Sequence, residues 1–211
     1  MGEEKLQNSA IAGTLAIDLG STTTVVAFAA AAERTPRLLD LPPISQRVGE
    51  VPSLLWLSDE SPLLGQQVVA AGLADQDDPR LARDFKRHIG RTEIDSQDKG
   101  SQVKDDQAAR AGALLLEGIW SLLPQHLRVE RLVLTAPVET YRSYRSWLLE
   151  ACTALPVEEI ALVDEPTAAA LGAGLHPGAR LLVVDLGGST LDLALVALQG
   201  GDGTAAPPAQ L

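Results

Sequence analysis

The sequence predicts an α/β fold with a mixed β-sheet flanked by helices, and two kinds of pattern carry that prediction. Near each end, over residues 14–30 and 180–198, an apolar segment is interrupted by a short turn of Gly, Ser and Thr, as in an antiparallel hairpin. Between these hairpins, short apolar segments alternate with segments of helical periodicity. Because strand–helix–strand passages need parallel neighbours, the sheet must combine parallel and antiparallel strands.

In the first half of the chain, the elements around the first hairpin are short. Residues 1–12 are polar or small without a sustained period, which predicts a flexible tail. Residues 51–57 predict a short strand, and Pro52 within it favours a sheet edge because proline cannot donate to a ladder.

The middle of the chain predicts a loop followed by a long helix. Residues 92–107 are polar and highly charged, which is typical of a mobile loop. Asp105 or Asp106 can then cap a helix that continues to Leu123.

The second half repeats a strand-then-helix order. Residues 131–136 and 160–163 predict strands, and apolar residues recur at helical spacing from 141 to 155. A further helix begins at Glu165, with a proline in its first turn. Residues 200–211, rich in Gly, Ala and Pro, predict a second flexible tail.

Composition excludes several function classes. Seventeen basic against twenty-eight acidic residues give a net charge of -11, which disfavours nonspecific binding to nucleic acid or anionic lipid. No apolar run is long enough for a membrane span. From the net charge and the absence of such a run, neither nucleic acid nor a membrane is an expected partner. Cys152 is the only cysteine, so no intrachain disulfide can form, and a reducing, cytoplasmic location is expected.

The chemical signal is a repeated turn, I-D-L-G-S-T at residues 17–22 and V-D-L-G-G-S-T at 184–190. Small residues let the backbone N–H groups of such a turn approach a phosphate, and the hydroxyls add donors. An Asp would repel phosphate by itself, so its presence indicates a Mg²⁺ ion bound mainly through water. One such turn is explained equally well by hairpin geometry. Its recurrence in the same strand context favours phosphate binding, with two turns gripping a triphosphate.

Six segments carry a resemblance to a known family, and they occur in this order: A-I-D-L-G-S-T-T at 16–23, V-P-S at 51–53, F-K-R-H-I-G-R at 85–91, L-T-A-P at 134–137 with Arg145 eight residues after the proline, D-E-P-T-A-A-A at 164–170, and V-D-L-G-G-S-T-L-D at 184–192. In these segments the chain resembles the seventy-kilodalton heat-shock, DnaK-like chaperones of the actin and sugar-kinase fold group. The D-E-P-T-A-A-A segment is the most specific of them.

The resemblance implies an actin-like, ribonuclease H-like ATPase fold. Residues 13–180 would form the first lobe, with a reduced upper subdomain around 40–110 because the segment after Arg91 is short for the family. Residues 181–199 would be the phosphate-loop hairpin that begins a second lobe. The chain stops soon afterwards, so we expect a fragment that lacks the adenine pocket and binds nucleotide weakly by itself.

The resemblance also implies ATP or ADP with Mg²⁺ as ligands. Asp18 and Asp185 would hold the hydrated metal ion. The phosphates would be contacted by residues of the two turns: Gly20, Ser21, Thr22, Thr23, Gly187, Gly188, Ser189 and Thr190.

Catalytic and coupling roles follow from the same resemblance. Lys86 would stabilise charge on the γ-phosphate, and Glu165 together with Asp185 would orient the attacking water. Pro137 and Arg145 would relay the nucleotide state to a peptide-binding domain. Without the resemblance, Lys86 could be a solvated surface lysine and Glu165 an acid favoured at a helix start.

The complete protein is therefore expected to be a chaperone that hydrolyses ATP, with unfolded client peptides and co-chaperones as partners. Two alternatives remain open at this point. One is another actin-fold phosphotransferase such as a sugar kinase, and the other is a non-catalytic interaction module of the same fold.

Overall fold

The computed structural model describes residues 10–33, 35–58, 60–90, 101–138, 141–176, 178–188 and 191–198. The strands are β1 (Ile11–Leu19), β2 (Thr23–Ala30), β3 (Arg37–Leu38), β4 (Glu50–Pro52), β5 (Leu55–Trp56), β6 (Leu63–Leu64), β7 (Leu81–Ala82), β8 (Leu127–Ala136), β9 (Glu159–Asp164), β10 (Arg180–Leu186) and β11 (Leu191–Ala197). The α-helices are α1 (Gln66–Ala70), α2 (Ser101–Ser121), α3 (Tyr141–Ala151) and α4 (Glu165–Gly172), and a 3-10 helix spans Phe85–His88.

The central sheet has the order β3-β2-β1-β8-β9, and β4 pairs with β2 beside this path. Strands β1 and β2 are antiparallel, whereas β8 is parallel to both β1 and β9. This arrangement confirms the predicted α/β fold with a mixed sheet. The parallel order also brings the carboxyl ends of β1, β8 and β9 to one edge, where side chains from distant segments can meet.

The hydrophobic core lies on one face of the central sheet. Alternate residues of β1, such as Leu15 and Ile17, are fully buried because strand side chains point to opposite faces. Leu115 and Ile119, one turn apart on α2, are buried in the same cluster. Their burial fixes the sheet against α2, and this packing also fixes the position of the loops at the sheet edge.

Both hairpins predicted from the sequence are present. β1 and β2 pair from Gly13 to Ala30, and β10 and β11 pair from Arg180 to Ala197 as a separate two-stranded sheet. The predicted helix at Glu165 is also confirmed as α4, with proline in its first turn. The division of the chain into a first lobe and the start of a second stays a prediction.

The predicted single strand over residues 51–57 is wrong. It is two strands, β4 and β5, which belong to different sheets. Between them the Leu54 N–H donates to the Pro52 carbonyl, and the Ser53 N–H donates to Thr22 O. These two bonds turn the chain out of the central sheet and into the small sheet β6-β5-β7.

The predicted loop over residues 92–107 is corrected in part. Residues 101–107 belong to α2, which begins at Ser101 rather than at Asp105 or Asp106 and ends at Ser121. Lys and Gln, which occur in this segment, have good helix propensity, so charge density alone did not indicate a loop. Residues 92–100 lie outside the described residues.

Three element boundaries also differ from the prediction. β1 begins at Ile11, inside the predicted tail, because the Ile11 N–H donates to His126 O and Ile11 pairs with Leu127. The same pairing extends β8 upstream of the predicted start at residue 131. α3 ends at Ala151, so Leu155 packs against the core from beyond the helix. The remainder of both tails, residues 1–9 and 199–211, is not among the described residues.

None of the helices in the described ranges is both long enough and apolar enough to cross a membrane.

Candidate functional site

A cleft of about 420 Å³, here called the central cleft, lies where the turns of the two hairpins meet. The predicted phosphate, metal and catalytic residues that fall in the described ranges all line it: Asp18, Gly20, Ser21, Thr22, Thr23, Lys86, Glu165, Asp185, Gly187 and Gly188. Ser189 and Thr190 lie outside the described residues. The structure thus brings together residues from opposite ends of the chain.

The two turns are in direct van der Waals contact across the central cleft. A Cβ atom added to Gly188 would lie 2.4 Å from the Thr22 Cγ2 atom, a distance that real Cβ atoms essentially never show. A side chain at this position would force the Thr22 side chain to move or the two turns to separate, so glycine favours this close approach. The approach places backbone groups of both turns around one volume.

The first turn is fixed by a serine that the sequence analysis did not select as a site residue. The Ser53 hydroxyl donates to Gly20 O at 2.7 Å and lies 2.9 Å from the Thr24 hydroxyl. The Ser53 N–H also donates to Thr22 O at 2.9 Å. Ser53 is 1% exposed, so these bonds are shielded from water and hold the turn rigid. The signal for it was its place in the V-P-S segment.

The two aspartates stand at equivalent places in their hairpins. Asp18 lies near the carboxyl end of β1 and Asp185 near the end of β10, and both are exposed to solvent within the central cleft. The Thr135 hydroxyl, at the carboxyl end of β8, donates to the Asp18 Oδ1 atom at 2.5 Å and orients that carboxylate. Thr135 also lines the central cleft. Its sequence signal was a hydroxyl at the end of a strand parallel to β1.

A lysine and a glutamate form an ion pair in the wall of the central cleft. The Lys86 Nζ atom, on the 3-10 helix, lies 2.6 Å from the Glu165 Oε1 atom, at the start of α4. Their side chains are only 12% and 16% exposed, so both charges are largely removed from water. Lys86 is therefore not a solvated surface lysine.

The acidity of Glu165 reflects competing influences. Burial raises the pKa of its carboxyl group above the ordinary value, and the charges of Asp18 and Asp185 raise it further. Lys86 acts in the opposite direction, through its charge and its hydrogen bond. The carboxylate is thus poised to accept a proton or to bind a polarised donor such as water.

The two predicted relay residues lie outside the central cleft. Pro137 lines a neighbouring cleft of about 320 Å³ that shares Glu165 and Asp185 with the central one. Arg145 is exposed on α3 and lines neither cleft. Pro137 therefore lies in a cleft that also includes Glu165 and Asp185.

The donor set of the central cleft fits a hydrated magnesium ion. Asp18 and Asp185 offer hard carboxylate oxygens and are open to solvent, so water can complete an octahedral shell. Within the described part of the chain, no three His, Cys, Asp or Glu side chains cluster as a direct metal cage. An ion held here would keep several of its water ligands, as Mg²⁺ usually does beside phosphates.

Comparison with known proteins agrees with this geometry. The family model described as Hsp70 protein matches residues 14–204. Heat shock 70 kDa protein 13 of Bos taurus is 27% identical over 177 residues, a match that covers 72% of this chain and 37% of that protein. The proteins of the same name from Homo sapiens and Pongo abelii are each 28% identical over 177 residues, with the same coverage. The match therefore spans 37% of the length of these relatives.

The family match covers most of the chain, including both Asp-led turns and the Lys86–Glu165 pair. It confirms the α/β, actin-like fold class and supports a chaperone-like nucleotide-binding domain. The chain belongs to the Hsp70 protein family.

Proposed function

We propose that the central cleft binds the phosphates of ATP or ADP together with Mg²⁺, and that the complete protein hydrolyses ATP to drive a chaperone cycle. One observation carries this proposal: the two Asp-led turns, at opposite ends of the chain, converge on one cleft whose wall holds a shielded Lys–Glu pair. A pair of hairpin turns with only a structural role has no need to converge in this way.

Phosphate binding is supported by the character of the two turns. Gly20, Gly187 and Gly188 leave the backbone open to a close ligand, and Ser21 and Thr22 add hydroxyl donors beside it. The chain as a whole is acidic, with a net charge of -11, so a polyphosphate needs compensating positive charge at the site. Lys86 supplies part of that charge, and the metal ion supplies the rest when it is bound.

The metal is assigned to Asp18 and Asp185. Bound Mg²⁺ neutralises negative charge on the phosphate oxygens and so favours phosphoryl transfer. Thr135 keeps the Asp18 carboxylate oriented through its hydrogen bond. Asp185 would hold the ion from the second turn, so that metal binding would depend on the two turns remaining together.

For hydrolysis, the roles fall to the ion pair in the cleft wall. When a nucleotide enters, the Lys86 ammonium can turn from Glu165 to the γ-phosphate and stabilise its charge. Glu165, with a raised pKa and Asp185 nearby, is then available to orient the attacking water by accepting a hydrogen bond. Positioning of the reactants and neutralisation of charge accelerate the phosphoryl transfer, and the protein forms no covalent intermediate.

Coupling to a peptide-binding domain is assigned to Pro137 and Arg145, with unfolded client peptides and co-chaperones as partners of the complete protein. Pro137 sits in the neighbouring cleft that shares Glu165 with the central cleft, which gives it a physical route to sense the nucleotide. We also assign the protein to the cytoplasm. Its single cysteine cannot form an intrachain disulfide, and proteins of the reducing cytosol rarely contain disulfides.

The test is steady-state and single-turnover hydrolysis of Mg-ATP by the full-length protein. We expect Lys86→Ala to lower the turnover rate by about 100-fold, as for loss of one group that stabilises transition-state charge. Arg131→Ala is the matched control, because Arg131 also pairs with a glutamate but at an exposed site. Turnover that survives Lys86→Ala unchanged rejects the catalytic assignment, and failure of the full-length protein to bind Mg-ATP in calorimetry rejects the nucleotide site itself.

A further inference from the structure

The peptide groups of the first turn are held by a residue that lies outside the central cleft. Ser21 and Thr23 line that cleft, whereas Ser53 is buried and is not among the residues that line it. The Ser53 hydroxyl donates to Gly20 O at 2.7 Å, and the Ser53 N–H donates to Thr22 O at 2.9 Å. One buried residue therefore binds two carbonyl groups of the turn.

These two hydrogen bonds also fix the direction of two N–H groups. The peptide bonds that follow Gly20 and Thr22 are trans, and in a planar trans peptide the C=O and N–H groups point in opposite directions. Because both carbonyl groups point towards Ser53, the N–H groups of Ser21 and Thr23 point away from it. The turn thus keeps two oxygens that would repel a phosphate on one side, and it presents donors on the other.

A second buried hydroxyl supports the bond to Gly20. Ser53 has one hydroxyl proton and gives it to Gly20 O, so the Thr24 hydroxyl must be the donor in the 2.9 Å bond between Thr24 and Ser53. Thr24 is fully buried, so this chain of donors is shielded from water. In such a chain each hydrogen bond polarises the next, which strengthens the bond on Gly20 O.

Strand pairing sets the position of Ser53. Strand β4 pairs antiparallel with β2, with Pro52 opposite Thr23, and Ser53 follows directly where the chain leaves the central sheet. Alanine at position 53 would keep this pairing and the N–H bond to Thr22 O, because both belong to the backbone. It would remove only the hydroxyl, so the role of that group can be tested by itself.

We propose that Ser53 is a positioning residue for phosphate binding, which aims the N–H groups of Ser21 and Thr23 at the phosphates of a bound nucleotide. The inference rests on the proposed function, since it needs phosphates in the central cleft. An anion site built from backbone N–H groups depends on the convergence of those groups. Without the Ser53 hydroxyl, the peptide group after Gly20 is free to rotate and to turn its carbonyl oxygen towards the ligand, which replaces attraction by repulsion.

The test is calorimetry of the full-length protein and its Ser53→Ala variant with two ligands, Mg-ADP and adenosine. We expect Ser53→Ala to raise the dissociation constant of Mg-ADP at least ~10-fold, the effect of weakening hydrogen bonds to a charged group. The dissociation constant of adenosine, which has no phosphate, should stay unchanged. A purely structural role of Ser53 would instead weaken both ligands alike, or neither.

The matched control is Ser45→Ala. The Ser45 hydroxyl also bonds a backbone group, accepting from the Leu41 N–H at 2.8 Å, but Ser45 does not line the central cleft. Its loss should leave the dissociation constants of both ligands unchanged.

Thr24→Val tests the same proposal without altering Ser53. Valine has nearly the shape of threonine and removes only the hydroxyl that donates to Ser53, so the affinity for Mg-ADP should fall by a smaller factor, again without a change for adenosine. Urea unfolding without ligand shows which variants are folded, and Thr24→Val decides the question if Ser53→Ala is not.

The outcomes separate this proposal from the proposed function. A parent protein that does not bind Mg-ADP overturns the nucleotide site and this inference with it. A parent that binds Mg-ADP, with folded variants that bind it equally well or that lose Mg-ADP and adenosine to the same extent, overturns only the role of Ser53.

Discussion

Replacing Lys86 by Met isolates the energetics of the shielded ion pair. The side chain stays unbranched, becomes one atom shorter and loses its charge, so Glu165 is left in the cleft wall without its partner at 2.6 Å. With both side chains at least 84% removed from solvent, since they are 12% and 16% exposed, the pair behaves as a buried one. Breaking such a pair costs about 3 kcal/mol, the lower end of the range for buried ion pairs, at a pH where Glu165 is ionised.

The sign of the pH dependence follows from the causes that act on Glu165. Lys86 is the influence that lowers its pKa, whereas burial, Asp18 and Asp185 all raise it. In Lys86→Met only the influences that raise the Glu165 pKa remain. The folded protein therefore binds the Glu165 proton more tightly than the unfolded chain, in which the pKa of a Glu carboxyl is about 4.3. The variant is therefore least stable, relative to the parent, at neutral pH, and the difference shrinks as pH falls through the raised pKa.

Urea unfolding at several pH values between about 4 and 7.5 measures this difference, because that window spans the unfolded pKa of Glu and neutral pH. The double variant Lys86→Met with Glu165→Gln should lose less stability than Lys86→Met alone, because no uncompensated charge is left. Arg131→Met breaks an ion pair whose side chains are 50% and 56% exposed, and it should not change stability measurably. A loss for Lys86→Met that is the same at every pH would refute the reasoning.

Two further predictions concern buried groups outside the cleft wall. Burial raises the pKa of the Cys152 thiol to about 11, so alkylation by iodoacetamide at pH 8 should be at least about 100-fold slower in the folded protein than in urea. Fast labelling of the native protein would contradict the burial of this side chain. Tyr144 is fully buried with a hydroxyl that has no hydrogen-bond partner among the described residues, so Tyr144→Phe should leave stability equal or raise it by up to about 1 kcal/mol in urea unfolding. A loss of more than that would mean that an ordered water satisfies the hydroxyl.

Much of the secondary structure was predictable because its signals are local. The turn at Gly20 is an example. A Cβ atom there would lie 2.2 Å from Thr23 O, so the requirement for glycine comes from a residue only three positions away. The start of α4 is another, since Pro166 in a first turn needs no tertiary support to be recognised. The split of residues 51–57 into two strands was not predictable locally, because it depends on a hydrogen bond from the Ser53 N–H to the distant Thr22 carbonyl.

The sequence by itself determined the parts of the candidate site: two Asp-led turns, a lysine in a basic segment and a glutamate at a helix start. The sequence also determined that these residues belong to a mixed sheet, because it contains both hairpins and strand–helix–strand passages. Only the tertiary structure decided which parts meet. Lys86 and Glu165 are 79 residues apart and Thr135 and Asp18 are 117 apart, yet each pair is within hydrogen-bond distance. The reason is that strand order and helix packing are set by burial of the whole core, and no local pattern encodes which sheet edge two distant side chains will share.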